Sequence, residues 1–332
     1  MNIKSSIFAA LSAALSLTAC SSADTPTAHE EEVVVPFSIS LPADLQTRAS
    51  FGDGSQTVIN QIKYSVYKVT GSGDEETTTF LYSSSVSETV TDNNNVINVS
   101  VPLPKNFSYI VTFFARNSAN TFADYKNGVM TVNYSNAAPN KANADVFTGV
   151  STKIDVTETP MTDHHAVALK RPMAQLNWGT SGIDALGDDA KTLTAAVTIS
   201  SGLYTTYDVL TGVVSGEKAD ALSFTVNCNA LPEVEFPVKV EGKDIKLVAM
   251  NYILVGKSEE TETGTINTSI TFSWTQGGET GEQQSRTSTA SNAPCKANCR
   301  TNIYGDLILT PAIFDCTIST TFDGDDNNIT PE

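Results

Sequence analysis

Short segments in which apolar and polar residues alternate are the feature that most constrains the fold of this chain. Residues 61–69, with the sequence Gln-Ile-Lys-Tyr-Ser-Val-Tyr-Lys-Val, show this alternation clearly. Successive side chains of a strand point to opposite faces of a sheet, so the pattern predicts a half-buried strand. Segments 80–82, 96–101 and 109–115 follow, separated by residues rich in Gly, Asn and Pro. Short strands with such punctuation predict a β-sandwich.

A second series of such segments follows, and helical stretches rich in Glu, Lys and Leu are almost missing. Its predicted strands cover 168–178, 193–199, 221–227, 234–240, 245–254, 266–274, 303–309 and 313–322. Residues 277–292 are predicted to form a polar loop, and Pro102-Leu103-Pro104 to end a strand. A polar stretch before Pro160 separates the two series. The sequence therefore predicts an all-β chain with sandwich domains at 49–158 and 159–322 and an acidic tail at 323–332.

The N-terminus has the pattern of a lipoprotein signal peptide. Lys4 precedes an apolar run over residues 7–17, and Leu-Thr-Ala-Cys at 17–20 matches the lipobox pattern. The run is too short to span a bilayer and ends in small residues. We predict that residues 1–19 are removed and that Cys20 carries lipid, which would hold the chain at a membrane.

Residues 20–48 combine a polar tether with a predicted strand. The tether includes the acidic run 30–32, which favours an extended, solvated chain. Apolar residues then recur at every second position: Val33, Val35, Phe37, Ile39 and Leu41. This period predicts one buried face. Pro36 has no N–H to donate, so it is expected at a sheet edge or beside a bulge.

Charge and motif content argue against several functions. Asp and Glu number 37 against 20 Lys and Arg, giving a formal net charge of −17, which disfavours nucleic acid as a partner. The chain lacks G-x-S-x-G, H-E-x-x-H and Walker A motifs. The pair His164-His165 is better explained as an exposed pair than as metal ligands, and residues 323–327 depart from a calcium loop. We predict no enzymatic activity, no cofactor and no metal.

Cysteines remain after Cys20 at four positions: Cys228, Cys295, Cys299 and Cys316. Disulfides are compatible with an exported protein, and four cysteines permit three full pairings. We predict a local Cys295–Cys299 bridge, and either a Cys228–Cys316 bridge or buried thiols at those two positions. Half of a zinc site at Cys295 and Cys299 is the less favoured alternative.

A surface protein that binds glycans is the main alternative function. Trp178 and Trp274 could form an aromatic platform for a sugar, although aromatic residues on alternating strands are more often part of a core. Carboxylates are plentiful, but no pair of them stands out as a glycosidase acid and base.

Three segments, together with the lipobox, resemble the fimbrillin-like lipoproteins of Bacteroidales-type bacteria. Residues 300–309 are similar to their R-T-N-I-Y-G-x-L-L-T segment, and residues 166–176 to their V-x-L-x-R-x-x-A-Q-L strand. Residues 322–325 resemble the pattern that closes their second domain. The resemblance covers nearly the whole chain and implies two tandem transthyretin-like Greek-key β-sandwich domains.

The resemblance also implies a pilus or adhesion subunit on the outer membrane or in a fimbrium. In this family an Arg-specific protease removes the N-terminal strand, and a strand of the next subunit enters the emptied groove. Here the implied cut lies between Arg48 and Ala49, and the exchanged strand is 33–41. The partners would be other pilus subunits or a second copy. The alternative is that Arg48 is an ordinary linker residue and the strand stays in place.

The C-terminus departs from the pattern of a stalk subunit. Ten mostly polar residues follow Phe322, so the one candidate donor strand is 313–322. If its own domain needs that strand, the protein would be a tip, anchor or accessory subunit.

Overall fold

The computed structural model describes most of the chain that follows the tether. The described residues are 31–42, 59–87, 96–141, 144–159, 161–188, 190–231, 233–234, 236–256, 263–278, 280–308 and 313–319. The predicted sites at Cys20, Arg48 and Ala49 lie outside them, as does the acidic tail 323–332.

Among the described residues before 170, ten strands form. They are β1 (Glu32–Ser40), β2 (Gln61–Thr70), β3 (Thr77–Val86), β4 (Val96–Pro104), β5 (Phe107–Arg116), β6 (Ala123–Lys126), β7 (Val129–Val132), β8 (Val146–Val150), β9 (Ile154–Val156) and β10 (His165–Ala168). The alternating segments of the sequence account for β1, β2, β4 and β5 within a few residues.

Ten further strands complete the described chain. They are β11 (Ala174–Thr180), β12 (Ala190–Ser201), β13 (Tyr204–Asp208), β14 (Val214–Glu217), β15 (Leu222–Asn227), β16 (Lys246–Ile253), β17 (Thr263–Gln276), β18 (Glu282–Lys296), β19 (Arg300–Asp306) and β20 (Ile313–Ser319). Short 3-10 helices span Gly73–Glu75, Tyr134–Asn136, Asp184–Leu186 and Cys228–Ala230.

Two sheets pack face to face around the first hydrophobic core. One has the order β10-β1-β4, and the other has the order β3-β2-β5-β8, with β9 also paired to β5. Inward side chains of both sheets form one buried cluster. The predicted sandwich architecture is confirmed here.

The second core lies between two further four-stranded sheets. Their orders are β16-β11-β19-β20 and β15-β12-β17-β18, and a smaller sheet, β14-β13-β7-β6, packs against the same cluster. Apart from the parallel pair β11–β19, the pairs in these sheets are antiparallel.

Each core takes strands from both sides of residue 158. The strand β10 joins the first sandwich, whereas β6 and β7 belong to the second cluster. The Asn127-Gly128 turn between β6 and β7 has positive φ at both residues, 52° and 82°, as a type I′ hairpin requires. This hairpin was not predicted from the sequence, although the Asn-Gly dipeptide is a signal for it. The domain boundary at 158 stays a prediction.

Several local predictions were wrong. The segment 234–240, predicted as a strand, forms no strand in its described residues. The strand β4 continues through Pro102 and Pro104, which pair with Val34 and Glu32 of β1. It can do so because β4 is an edge strand, where a missing N–H can face away from the neighbouring strand. The predicted loop 277–292 instead contains most of β18, an edge strand paired with β17. Its polar composition reflects the exposure of an edge.

Candidate functional site

The first strand, β1, lies in the middle of its sheet. It pairs antiparallel with β4 over nine residues, from Glu32 opposite Pro104 to Ser40 opposite Val96. On its other side it pairs in parallel with β10, from Phe37 opposite His165 to Ser40 opposite Ala168. The expected position at a sheet edge or beside a bulge is wrong, because β1 has a neighbour on each side and its register with β4 is unbroken. Pro36 is accommodated because it lies just before the pairing with β10 begins. The strand thus fills a slot between two strands that are distant from it in sequence.

One face of β1 is built into the first core. Its five alternating apolar side chains are at most 8% exposed: Val33, Val35, Phe37, Ile39 and Leu41. The predicted buried face is therefore confirmed, whereas its exchange between subunits stays a prediction. At roughly 1.5–3 kcal/mol for each buried side chain, the face contributes on the order of 7–15 kcal/mol of gross burial free energy.

The centre of this face is aromatic. The Phe37 ring lies 5.2 Å from the Phe113 ring on β5 and 5.6 Å from the His165 ring on β10. Tyr64 on β2 lies 6.3 Å from Phe113 and 6.2 Å from Tyr82. The Phe37 ring therefore packs against the facing sheet through Phe113 and against a strand of its own sheet through His165.

The opposite face of β1 makes polar contacts near its C-terminal end. Ser38 Oγ donates to Asn98 Oδ1 at 2.9 Å, and it lies 3.0 Å from His164 Nδ1. Val34, on the same face, is 58% exposed. The prediction of an exposed pair is confirmed for His164 only, because His165 is partly buried against Phe37, and both histidines contact β1. Sequence reasoning missed this role, because it depends on the pairing of two segments far apart in the chain.

The last described strand, β20, is paired within its own domain. It lies at the edge of its sheet and pairs with β19 from Ser319 opposite Arg300 to Ile313 opposite Asp306. Ile318 is 6% exposed, and Thr317 and Ser319 are also buried. The strand predicted as a candidate donor is therefore a structural part of the second sandwich.

Two segments that carry the sequence resemblance lie side by side. In the parallel pair β11–β19, Gln175 accepts a 2.9 Å hydrogen bond from Arg300, and Asn177 donates one of 2.8 Å to Asn302. All four residues are buried. Because a buried polar group is costly without a partner, each polar residue of one segment stabilises that of the other.

The resemblance segment 166–176 also contains Arg171, which lies in the loop between β10 and β11. Its Nε donates to Asp145 at 2.8 Å, both side chains are 1% exposed, and the guanidinium lies 4.7 Å from the Phe147 ring. This buried ion pair lies where the chain passes from the first sandwich to the second. The pair therefore connects Asp145, directly before β8, to the loop between β10 and β11.

None of the four described cysteines forms a disulfide, so the predicted bridges are not formed in the structure. Burial raises the pKa of Cys228 and Cys295 to about 12 and that of Cys316 to about 11. Thr301 donates its hydroxyl to Cys295 Sγ at 3.3 Å. Cys228, Cys295 and Cys299 are buried and Cys316 is partly buried, and a raised pKa lowers the reactivity of a thiol.

The two tryptophans are core residues. Trp178 is 1% exposed and Trp274 is 6% exposed, and both belong to the second hydrophobic cluster. A platform that binds a sugar needs exposed rings, so the alternative of an aromatic platform at Trp178 and Trp274 is wrong.

Neither a metal centre nor a membrane helix emerges from the part of the chain that the structure describes. Among those residues, His, Cys, Asp and Glu side chains form no group of three that could hold a metal ion. No helix there is long and apolar enough to cross a bilayer.

Comparison with known proteins identifies a family model and several structures. The model of DUF6562, a family of unknown function, matches residues 26–332. No curated protein matches the chain.

Three solved structures are similar in part. A "putative adhesin" of Bacteroides thetaiotaomicron is 9% identical, with a TM-score of 0.46 over 87% of this chain and 97% of that one. A "putative cell adhesion protein" of Bacteroides eggerthii is 14% identical, with a TM-score of 0.46 over 88% and 96%. A "fimbrial assembly protein" of Parabacteroides distasonis is 15% identical, with a TM-score of 0.41 over 87% and 96%.

Proposed function

The chain belongs to the DUF6562 family of unknown function, and from that premise we propose that it is a non-enzymatic, lipid-anchored protein of the outer-membrane surface. In this proposal it joins a pilus or adhesive assembly by strand addition. Cleavage between Arg48 and Ala49 frees β1, and a strand of another subunit takes its place. Cys20 holds the chain at the membrane until that cut.

The observation that carries the proposal is the position of β1 in its sheet. A strand between two others cannot leave without exposing main-chain groups of both neighbours and the apolar interior beneath. Loss of five buried side chains without replacement is too costly for a stable sandwich. A vacated slot of this kind therefore favours refilling by another strand, which is β-augmentation from a partner.

The pairing and burial of β20 support the role of a strand acceptor for this protein. Because β20 is paired along its length and contributes Ile318 to a buried surface, donating it would cost the second sandwich an edge strand. We infer that the protein receives a strand and keeps its own last one. This role suits a tip, anchor or accessory subunit better than a stalk subunit.

The test is an Arg48→Ala variant expressed in the native cells, with Gln46→Ala as a matched control in the same segment. The mature surface protein should begin at Ala49 in the wild type and in the control, and it should run in heat-resistant complexes. The Arg48→Ala protein should keep its lipid on Cys20 and run as a monomer. Unchanged complexes in Arg48→Ala would rule out assembly by this cut.

A further inference from the structure

The five inward positions of β1 differ in what surrounds them. Four are aliphatic, and the central one, Phe37, is fully buried between the rings of Phe113 and His165. The Nε2 atom of His165 is buried and makes no hydrogen bond. The imidazole therefore contributes a flat packing surface at this place.

The walls of this position do not belong to β1. Phe113 lies on β5, Tyr64 behind it lies on β2, and His165 lies on β10. If β1 leaves, these rings stay and enclose a space shaped for another ring. Aromatic pairs at centroid distances of about 4.5–7 Å favour a ring over an aliphatic group of similar size.

We propose that the slot of β1 selects an incoming strand by an aromatic residue at the central one of its five inward positions, and that this strand comes from a chain other than a second copy. The inference rests on the proposed function and names the partner's chemistry. The partner offers an extended segment of alternating apolar residues with a ring at its centre. A small hydroxyl residue next to the ring would reproduce the contacts of Ser38 with Asn98 and His164.

After the cut a second copy no longer carries β1, so its candidate donor is its C-terminal segment. This segment fits the slot poorly in the three registers that bring Ile318, Phe314 or Phe322 to the central position. With Ser319 in the place of Ser38, Ile318 takes the place of Phe37 and the ring is lost. With Phe314 in that place, Thr310 and Ala312 fall at the positions of Val33 and Val35.

The third register fails as well. With Phe322 in the central place, Gly324 falls at the position of Ile39. Each of these mismatches leaves part of the slot unfilled, and unfilled volume in a core is destabilising. Two copies of so acidic a chain also repel one another.

The test uses the purified full chain after a cut at Arg48, with synthetic peptides competing against a labelled peptide of residues 31–41. The key variant exchanges two residues of the peptide, Phe37→Ile together with Ile39→Phe. Its composition equals that of the native peptide, so it changes only the position of the ring. A Ser38→Ala peptide and a peptide of residues 313–322 complete the set.

The exchanged peptide and the 313–322 peptide should each bind at least about tenfold more weakly than the native peptide. Ser38→Ala should stay within about fivefold, because its hydrogen bonds are exposed. If the native peptide binds and the exchanged peptide binds equally tightly, selection by the position of the ring is overturned. Equal binding of the 313–322 peptide, or self-assembly of the cut chain, would overturn the choice of a different chain. If no peptide enters, not even the native one, strand addition itself fails.

Discussion

The first and last strands of the described chain, β1 and β20, differ in how they are held. The first has a neighbour on each side and buries five apolar side chains, including the Phe37 ring. The last has one described neighbour, β19, and buries Thr317 and Ser319 beside Ile318. Interior position and apolar burial make β1 the more strongly held of the two.

Of these two strands, the one that we propose to be exchanged is thus the more strongly held. A slot that binds its own strand tightly can also bind a similar strand tightly. The rate of exchange is then limited by dissociation of β1 from its slot. A cut in the chain would be needed because an uncut β1 stays attached to its own sandwich. An edge strand such as β20 could leave with less loss, but its vacated place would offer an incoming strand only one partner.

The largest effect is expected at the centre of β1. Phe37→Ala should lower the free energy of unfolding of the first sandwich by about 3–5 kcal/mol, because it removes a fully buried ring and leaves a cavity. Val34→Ala, on the exposed face of the same strand, should change it by less than about 0.5 kcal/mol. Urea titration followed by far-UV circular dichroism measures both. Equal effects of the two variants would contradict the central role of Phe37.

A smaller effect is expected in β20. Ile318→Ala should cost about 2–3 kcal/mol, since the side chain is buried but belongs to an edge strand. Both tryptophans lie in the second cluster, so tryptophan fluorescence reports on that sandwich. Ile318→Ala should shift the fluorescence transition, whereas Phe37→Ala should leave it nearly in place. Equal shifts in both variants would mean that the two sandwiches unfold as one unit, and the comparison of separate strands would then fail.

The alternation of apolar and polar residues was sufficient to predict β1 but not the strands with which it pairs. The alternation from Val33 to Leu41 matches a strand at Glu32–Ser40, because a period of two is a property of the segment itself. Its pairing with β4 and β10 depends on contacts between distant segments. The contacts of His164 and His165 with β1 could not be predicted for the same reason.

Edge strands account for the clearest failures of sequence reasoning. In β4 the two prolines suggested a break, and in β18 the Ser, Thr and Gln residues suggested a loop. Both lie at sheet edges, where a missing N–H or a polar side chain costs little. Whether a strand lies at an edge is decided by the whole sheet. The pattern of one segment does not contain that information.

Cys316 provides a probe of whether β20 stays in place. Burial raises its pKa to about 11, above the ordinary value of 9.0, so at pH 8 very little of it is thiolate. Alkylation by iodoacetamide should therefore be slow in the native chain and should keep rising with pH beyond 9. Because the folded-state pKa is raised, the thiol's contribution to stability is complete below about pH 9 and is lost as pH rises towards 11.

The same labelling separates the two strands. A cut at Arg48 should leave Cys316 as slow to react as before, because the cut frees β1 and leaves β20 paired with β19. Mass spectrometry of the Cys316 peptide measures the rate, and Cys295, whose pKa burial raises to about 12, is the matched control in the same core. Rapid labelling of Cys316 after the cut would show that β20 is released as well.

The smallest effect is expected on the outer face of β1. Ser38→Ala removes the hydrogen bond to Asn98 and the contact with His164, but both are exposed, so water replaces them. The free energy of unfolding should fall by no more than about 1 kcal/mol, measured in the same urea titration as Phe37→Ala. Asn98→Ala and the double variant complete a cycle whose coupling term isolates the Ser38–Asn98 pair. A loss as large as that of Phe37→Ala would mean that the polar face, rather than the buried ring, holds β1 in its slot.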